Sequence, residues 1–144
     1  MRHIINLLVI VAVALSATTA CSKGHSGPSG ISGLTGRWRE LSTSGGIGGQ
    51  TIRYDNEMRI LQLNEDSTWS VWFNGAFGQS GVYSLSTMTN GNLTDTLIIF
   101  RDNTTGYPHR QLLQRIDEHL FLGDIDISDG YTSSYIRWPA VFLQ

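Results

Sequence analysis

Cysteine is almost absent from this chain of 144 residues, which contains a single one, Cys21. A lone cysteine excludes an intrachain disulfide. Long apolar runs are also missing, because no stretch after residue 20 approaches the roughly 18 residues of a membrane-spanning helix. Without residues 1–20, nine of the ten Lys and Arg remain against 12 Asp and Glu. The net charge of −3 gives no electrostatic basis for binding nucleic acid.

Residues 1–20 have the three parts of a secretory signal peptide. Arg2 gives a positive start, an apolar stretch runs from Ile4 to Leu15, and small residues follow. At about 1.5 Å per residue, this stretch is far shorter as a helix than the roughly 30 Å hydrocarbon core of a bilayer. We therefore interpret it as a cleaved signal and not as a stable anchor.

The end of this segment, Ala17-Thr18-Thr19-Ala20-Cys21, resembles the bacterial lipobox, in which cleavage leaves a lipid-modified cysteine at the new N-terminus. Thr18 departs from the leucine that is usual there. The alternative is an ordinary secretory signal followed by an unmodified thiol. An unpaired thiol in an exported protein needs an explanation, and lipidation explains both its position and its singularity. The motif predicts a lipoprotein whose Cys21 carries palmitate and related chains that anchor it in a membrane.

Residues 21–33 are predicted to be the lipidated cysteine and a flexible tether, because residues 22–33 are mainly Ser, Gly and other small or polar residues. About a dozen residues reach roughly 40 Å when fully extended. Ser22 is not acidic, and no Asp or Glu run follows Cys21. By resemblance to lipoprotein sorting rules, this favours the outer membrane, with the domain facing the periplasm.

The remaining residues, 34–144, are predicted to form one all-β domain. Short runs rich in β-branched and aromatic residues alternate with turn residues, and no helical periodicity persists beyond about a turn. The Gly-rich stretch 44–49 is the longest irregular segment by this interpretation. We predict eight strands, near 35–42, 57–64, 68–74, 80–87, 95–101, 109–116, 119–123 and 131–138.

Alternation within these strands gives each of them one apolar and one polar face. Leu61 and Leu63 share a face, as do Leu120 and Leu122, with polar residues between many of the apolar ones. Such one-sided strands suit an antiparallel sheet closed around a single core. Short connections predict an up-and-down barrel of about eight strands, which leaves no exposed sheet edge.

Two short motifs carry a family resemblance. Gly36-Arg37-Trp38 on the first strand resembles the Gly-x-Trp motif of the lipocalin and calycin barrels, and Arg137 on the last strand resembles their closing arginine. The hairpin over residues 61–69 is similar to that of small bacterial lipocalin-like lipoproteins. The resemblance implies that Gly36, Trp38 and Arg137 close one barrel end, with the guanidinium stacked on the indole.

The sequence contains no catalytic or metal motif. It has no Gly-x-Ser-x-Gly elbow, and nothing in it indicates that Glu40 and Asp124 meet across the barrel as paired carboxylates. The histidines lack zinc-ligand spacing, so that no metal or cofactor is expected. Asp124, Asp126 and Asp129 superficially resemble a calcium loop, but a solvated acidic turn is the simpler interpretation. We therefore expect no enzymatic activity.

The predicted function is that of a lipid-anchored binding module in the cell envelope, by analogy with the barrel fold. Its ligand would be a small apolar or amphiphilic molecule that enters near the Gly-rich segment 44–50. The alternative is a non-enzymatic accessory protein whose barrel is filled by side chains and whose protein partner is unknown. In that case Trp72, Phe121 and Trp138 are candidates for an outer interaction patch. The predicted pocket residues, joined by Phe100 as a further inward aromatic, are Leu61, Leu63, Trp69, Val71, Phe73 and Tyr83.

Replacing the predicted lipid attachment site tests the anchor directly. We expect Cys21→Ser to release the chain from the membrane without unfolding the barrel, because the tether precedes the predicted core. Fractionation of cells after a high-salt wash measures this, with Ser22→Ala as the control that keeps the thiol. Retention of the Cys21→Ser chain in the membrane fraction would show that Cys21 is not the anchor.

Overall fold

The computed structural model describes residues 32–139, so that the predicted signal peptide, Cys21 and most of the tether lie outside the described residues. All regular structure in this range is β-strand. None of residues 32–139 belongs to a helix long and apolar enough to cross a membrane. The strands are β1 (Gly36–Gly45), β2 (Gln50–Arg53), β3 (Arg59–Leu63), β4 (Thr68–Phe73), β5 (Ala76–Asn90), β6 (Leu93–Asp102), β7 (Pro108–Ile116), β8 (His119–Asp124) and β9 (Tyr131–Trp138).

Eight of the nine strands form a closed antiparallel barrel, which confirms the predicted fold class. β1, β3 and β4 to β9 follow one another around the barrel, and β9 pairs back onto β1. The closing ladder joins Arg37 to Trp138 at one end and Gly45 to Tyr131 at the other. Because the first and last strands pair along nearly their full lengths, the sheet has no free edge between them.

β2 is an additional strand that the sequence analysis did not predict. It pairs with the second half of β1, from Ser42 to Gly45, so that the Gly-rich segment forms a hairpin and not a long irregular loop. Gly46 and Gly49 have positive φ values of 73° and 58°, which reverse the chain between the two strands. This hairpin stands at the barrel end opposite to Trp38.

β5 and β6 are longer than predicted and form the largest hairpin of the barrel. Their ladder extends to the pair Asn90 and Leu93, so that the predicted loop around Gly91 is a tight turn. β5 also begins earlier, at Ala76, after a turn in which Asn74 and Gly75 both have positive φ. Two central residues with positive φ are typical of a type I′ hairpin turn, whose twist matches that of the strands.

The core fills the barrel from the end where β1 begins and β9 finishes. Trp38 is fully buried there, and Leu63 and Leu120 are each at most 1% exposed. These positions alternate with outward residues, as the one-sided pattern of the sequence predicts. The core residues are Leu34, Trp38, Leu61, Leu63, Trp69, Tyr83, Ile98, Phe100, Leu113, Leu120 and Leu122.

Arg137 covers the Trp38 ring at this closed end. Its guanidinium carbon lies 4.3 Å from the ring centroid, within the range of a cation–π interaction. The same guanidinium donates hydrogen bonds to the carbonyls of Thr35, at 2.6 Å, and Gly33. The Trp38 indole donates to the Leu34 carbonyl at 2.8 Å. These contacts fix the entering chain across the end of the barrel, in the arrangement that the family resemblance implies.

Gly36 is required at this point for two reasons. Its φ of +128° is one that residues with a side chain rarely adopt. A Cβ atom at this position would lie 2.2 Å from Nη1 of Arg137. The arginine therefore reaches its carbonyl acceptors only because residue 36 has no side chain.

The closed end predicts that Trp38 is important for stability. Trp38→Ala should lower the free energy of unfolding, as measured by urea denaturation, by about 3–5 kcal/mol, because it leaves a large cavity in the core.

The close approach of residue 36 to Arg137 predicts that substitutions at these two positions are coupled. Gly36→Ala should also destabilise the barrel, but by less in an Arg137→Ala background, where the clash with the guanidinium is absent. Urea denaturation of Gly36→Ala, of Arg137→Ala and of the variant that combines them measures the coupling. Strictly additive effects would show that Gly36 is constrained by φ alone.

Candidate functional site

The barrel interior contains a pocket between the core and the end opposite to Trp38. Its volume is about 140 Å³. A cavity of this size is comparable to an engineered apolar cavity that holds a benzene molecule. The pocket is lined by Leu61, Trp69, Val71, Phe100, His109, Gln111, Leu122 and Tyr135.

Apolar side chains form the inner wall of this pocket. The Trp69 and Phe100 rings meet edge to face, with centroids 5.3 Å apart. Trp69 donates its indole N–H to the Val82 carbonyl at 3.1 Å, so the ring is held from both sides. Leu122, on the opposite strand, is 1% exposed. A fixed aromatic and aliphatic wall favours an apolar ligand group.

A hydrogen-bonded group of β7 and β8 residues lies at the outer part of the pocket. Asp124 Oδ1 is 2.9 Å from His109 Nε2 and accepts a hydrogen bond from Gln111 Nε2 at the same distance. Its other oxygen, Oδ2, accepts the Tyr131 backbone N–H at 3.1 Å. Asp124 thereby orients two pocket-lining side chains and ties them to the start of β9.

These hydrogen bonds determine the protonation of Asp124. Burial raises its pKa, but the hydrogen bonds from Gln111 and the Tyr131 N–H, together with His109, outweigh burial and leave the pKa below its ordinary value. The carboxylate therefore stays ionised at neutral pH. The neighbouring Asp126 forms a separate ion pair with Arg110, whose nitrogens are 2.5 and 3.0 Å from its oxygens.

A second polar group approaches the pocket from β1 and β9. Glu40 accepts a hydrogen bond from Thr43 Oγ1 at 2.8 Å, and that hydroxyl is 2.9 Å from the Ser133 hydroxyl. Tyr135 lies directly opposite Glu40 in the β1–β9 ladder. Burial, followed by the nearby Glu40 carboxylate, raises the pKa of Tyr135. Its hydroxyl is therefore neutral at pH 7.

Arg59 balances part of the negative charge at this end. Its guanidinium lies 3.9 Å from Glu40 and 3.0 Å from Glu57. It also stacks on Tyr54, with the guanidinium carbon 3.7 Å from the ring centroid. Tyr54 in turn donates to the Thr43 hydroxyl at 3.4 Å. The rim of the barrel is therefore polar, with ions of both signs.

The predicted pocket residues occupy three different environments. Leu61, Trp69 and Val71 line the pocket. Leu63 and Tyr83 belong to the packed core and are not among its lining residues. Tyr83 is held in the core by a hydrogen bond from its hydroxyl to the Asn64 carbonyl at 2.9 Å.

Phe73 is the residue whose placement differs most from the sequence expectation. It follows the inward alternation of Trp69 and Val71, but it is the last residue of β4 and is 44% exposed. Its ring lies 5.6 Å from the Arg59 guanidinium carbon at the rim. The alternation gives the direction of a side chain, whereas depth in the barrel depends on strand length.

His109, Gln111 and Tyr135 also line the pocket, although they are not among the pocket residues predicted from the sequence. A signal for them was present, because His109 and Gln111 precede Leu113 at two-residue spacing on β7 and therefore share its face, and Leu113 is 4% exposed and faces the core. Tyr135 likewise precedes Arg137 by two residues on β9 and therefore faces the same side. Polar residues at inward positions thus mark where the core ends and the open part of the barrel begins.

Metal ligation is not indicated within residues 32–139, where no three His, Cys, Asp or Glu side chains converge as a metal site requires. Asp124 and Asp126, which resemble a calcium loop in the sequence, instead bind His109 and Arg110. The Gly-rich hairpin encloses a separate surface hollow of about 230 Å³ with Tyr131. This hollow is formed by the β1–β2 hairpin and is distinct from the interior pocket.

Comparison with known proteins assigns no family. The chain matches no protein-family model, and no curated protein or solved structure matches it. The fold itself, a closed eight-stranded antiparallel barrel, is compatible with a lipocalin-like protein.

The Asp124 network predicts a pH-dependent contribution to stability. Asp124→Asn should lower the free energy of unfolding by about 1–3 kcal/mol at pH 7, because it removes a charged acceptor from a nearly buried site. Since the pKa of Asp124 is lowered in the folded state, its contribution is fully present above about pH 4 and is lost as the pH falls further.

Urea denaturation of wild type and variant between pH 7 and pH 2.5 measures this difference. Asp126→Asn is the matched control, because its ion pair with Arg110 is exposed and should contribute less than about 1 kcal/mol. A difference between wild type and Asp124→Asn that stays constant with pH would contradict the assignment.

Proposed function

We propose that this protein is a membrane-anchored, lipocalin-like lipoprotein that binds a small amphiphilic molecule in the cell envelope. The observation that carries the proposal is the interior pocket, in which a Trp69–Phe100 wall is joined to a polar outer part. Pockets that bind small molecules commonly combine a mostly apolar lining with a few positioned polar groups.

The pocket volume limits the ligand. About 140 Å³ holds a ring-sized or short branched apolar group, and it is below the roughly 300–1,000 Å³ of pockets that enclose drug-sized ligands. A porphyrin or a long acyl chain would therefore not be enclosed. The ligand places a compact apolar group between Trp69 and Leu122 and directs a polar group towards His109, Gln111 and Tyr135.

The site is proposed to bind its ligand without catalysis. His109 and Asp124 are hydrogen-bonded as in a general-base pair, but Asp124 also accepts bonds from Gln111 and the Tyr131 backbone. Those bonds stabilise the end of the barrel, which gives the pair a structural role. The sequence also lacks the nucleophile motif that such a base would serve.

The anchor and the location rest on the sequence. Cys21 in its lipobox-like setting is the proposed lipid attachment site, and Ser22 favours the outer membrane, with the barrel facing the periplasm. A lipid anchor holds the barrel close to the bilayer, where amphiphilic molecules concentrate. The alternative is an accessory protein of the envelope with no small ligand, in which the pocket is only a packing defect.

Filling the pocket tests the binding function. The chain beginning at Ser22 is titrated by calorimetry with a panel of compact amphiphiles: indole, benzyl alcohol, hexanoate and hexylamine. At least one should bind saturably, and Val71→Phe should weaken that binding about tenfold or more, because the added ring occupies the pocket. Val82→Phe, at a position that is 49% exposed, is the matched control and should bind like wild type.

Equal binding by Val71→Phe and Val82→Phe would place the ligand outside the barrel. An absence of saturable binding across the panel would favour the accessory-protein alternative. Near-ultraviolet circular dichroism of each variant separates a filled pocket from an unfolded barrel.

A further inference from the structure

One outer wall of the barrel combines arginines with large apolar side chains. Trp38 and Leu61 face inward, so their neighbours in sequence, Arg37, Arg39 and Ile60, face outward by the strand alternation. The same wall carries large aromatic rings on the adjoining strands. We call it the aromatic–arginine face and define it by Arg37, Arg39, Ile60, Trp72, Phe77 and Trp138.

These side chains contact one another across the strands. Trp72 and Phe77 meet edge to face with centroids 5.5 Å apart, and the Arg39 guanidinium carbon lies 5.4 Å from the Trp138 ring. Nε of Arg37 and of Arg39 is buried, which shows that their aliphatic stems lie against the wall. The face is therefore an ordered surface and not a set of scattered residues.

The face also contains a groove. Its volume is about 310 Å³, which exceeds that of the interior pocket. Arg37, Ile60 and Trp72 line it together with Met58, which is 41% exposed. Ile60 forms the floor of the groove and is only 2% exposed.

The strands of this wall carry outward charge of one sign, and the nearby Glu57, which precedes Met58, is paired with Arg59 at 3.0 Å. Among the outward positions of residues 36–40, 59–63, 68–73 and 131–138, none is acidic, whereas two are arginines. This holds in a chain whose predicted mature form has a net charge of −3. The face is therefore complementary to a surface that is anionic outside and apolar beneath.

We propose that the aromatic–arginine face rests on an anionic lipid bilayer. The proposal rests on the lipid anchor of the proposed function, because the predicted tether joins the barrel directly before β1, the strand that carries both arginines. Only 16 positions separate Cys21 from Arg37. Tryptophan and arginine are suited to this position, since their apolar parts enter the interface while their polar parts stay with the headgroups.

The anchor and the face act together in this arrangement. The lipid on Cys21 holds the barrel within the roughly 40 Å reach of the extended tether, and the face then selects which side of the barrel meets the headgroups. Phe77, which is 57% exposed, and Met58 provide apolar groups that can enter the interface without rearrangement of the core.

Vesicle binding by the chain without its lipid tests the face separately from the anchor. All ladder partners of the eight barrel strands come from residues 36–138, so that a chain beginning at Ser22 keeps the barrel complete. It is sedimented at low salt with vesicles of phosphatidylethanolamine and phosphatidylglycerol, and with vesicles of phosphatidylcholine alone. We expect binding to the anionic vesicles, and little binding to the zwitterionic ones.

Matched variants separate the face from net charge. Replacing Arg37 and Arg39 together by Gln should weaken binding about 10–30-fold, because each arginine near an anionic surface strengthens binding about fivefold. The control replaces Arg53 and Arg101, both exposed and outside the face, by Gln. It changes the net charge equally and should leave binding within about twofold of wild type.

Phe77→Ser provides a second variant that does not depend on the arginines. It should weaken binding about tenfold through the loss of apolar contact, whereas Leu93→Ser, at a position that is 71% exposed, should have no effect. A wild-type chain that fails to bind anionic vesicles overturns the proposal, as does an equal loss in the two double arginine variants. Neither result bears on Cys21, which is absent from the tested chain.

Discussion

The stacking of Arg137 on Trp38 is the interaction on which the barrel end depends. The guanidinium lies 4.3 Å from the indole centroid while it donates to the carbonyls of Thr35 and Gly33. It therefore joins the last strand to the residues that precede the first strand, where a closed sheet would otherwise leave unpaired backbone acceptors. The constraint extends to Gly36, since any Cβ atom there would meet the same guanidinium. Arg137 thus links the last strand to the residues before the first strand, fixes the path of the entering chain and covers the Trp38 ring of the core.

Because Trp38 and Arg137 close one end of the barrel, the inward positions towards the other end can carry polar residues. Large residues around Trp38 fill the first half of the barrel, whereas His109 and Gln111 line the pocket beyond it and Glu40 lies opposite the pocket residue Tyr135. Asp124 is hydrogen-bonded to His109 and Gln111, and Glu40 accepts a hydrogen bond from Thr43. The pocket lies at the boundary between these two regions. Its mixed character is therefore a consequence of where the apolar core stops.

Strand alternation predicted the fold well because a barrel has one inside, and each inward residue contributes to one core. It predicted strand ends less well, since turn chemistry decides them. The Asn74-Gly75 hairpin turn starts β5 at Ala76, several residues before the predicted start near residue 80. Strand alternation also does not predict how deep in the barrel an inward side chain lies. Phe73 and Trp69 have the same inward direction, but only Trp69 lies deep enough to line the pocket, because shear and strand length set depth.

The inside and the outside of the barrel are linked by the same strands. On β1, Trp38 fills the core while Arg37 and Arg39 point the opposite way, and on β4 Trp69 lines the pocket while Trp72 lies on the outer wall. The alternation of β4 gives these two directions, and a bulge at Gly78 in β5 shifts the register so that Phe77, and not Gly78, pairs with Trp72. A Cβ atom at position 78 would lie 2.6 Å from Cε2 of Phe73, so glycine suits the bulge. The irregular pairing at Gly78 thereby places the Phe73 ring at the pocket rim beside the bulge and pairs Phe77 with Trp72 on the outer wall.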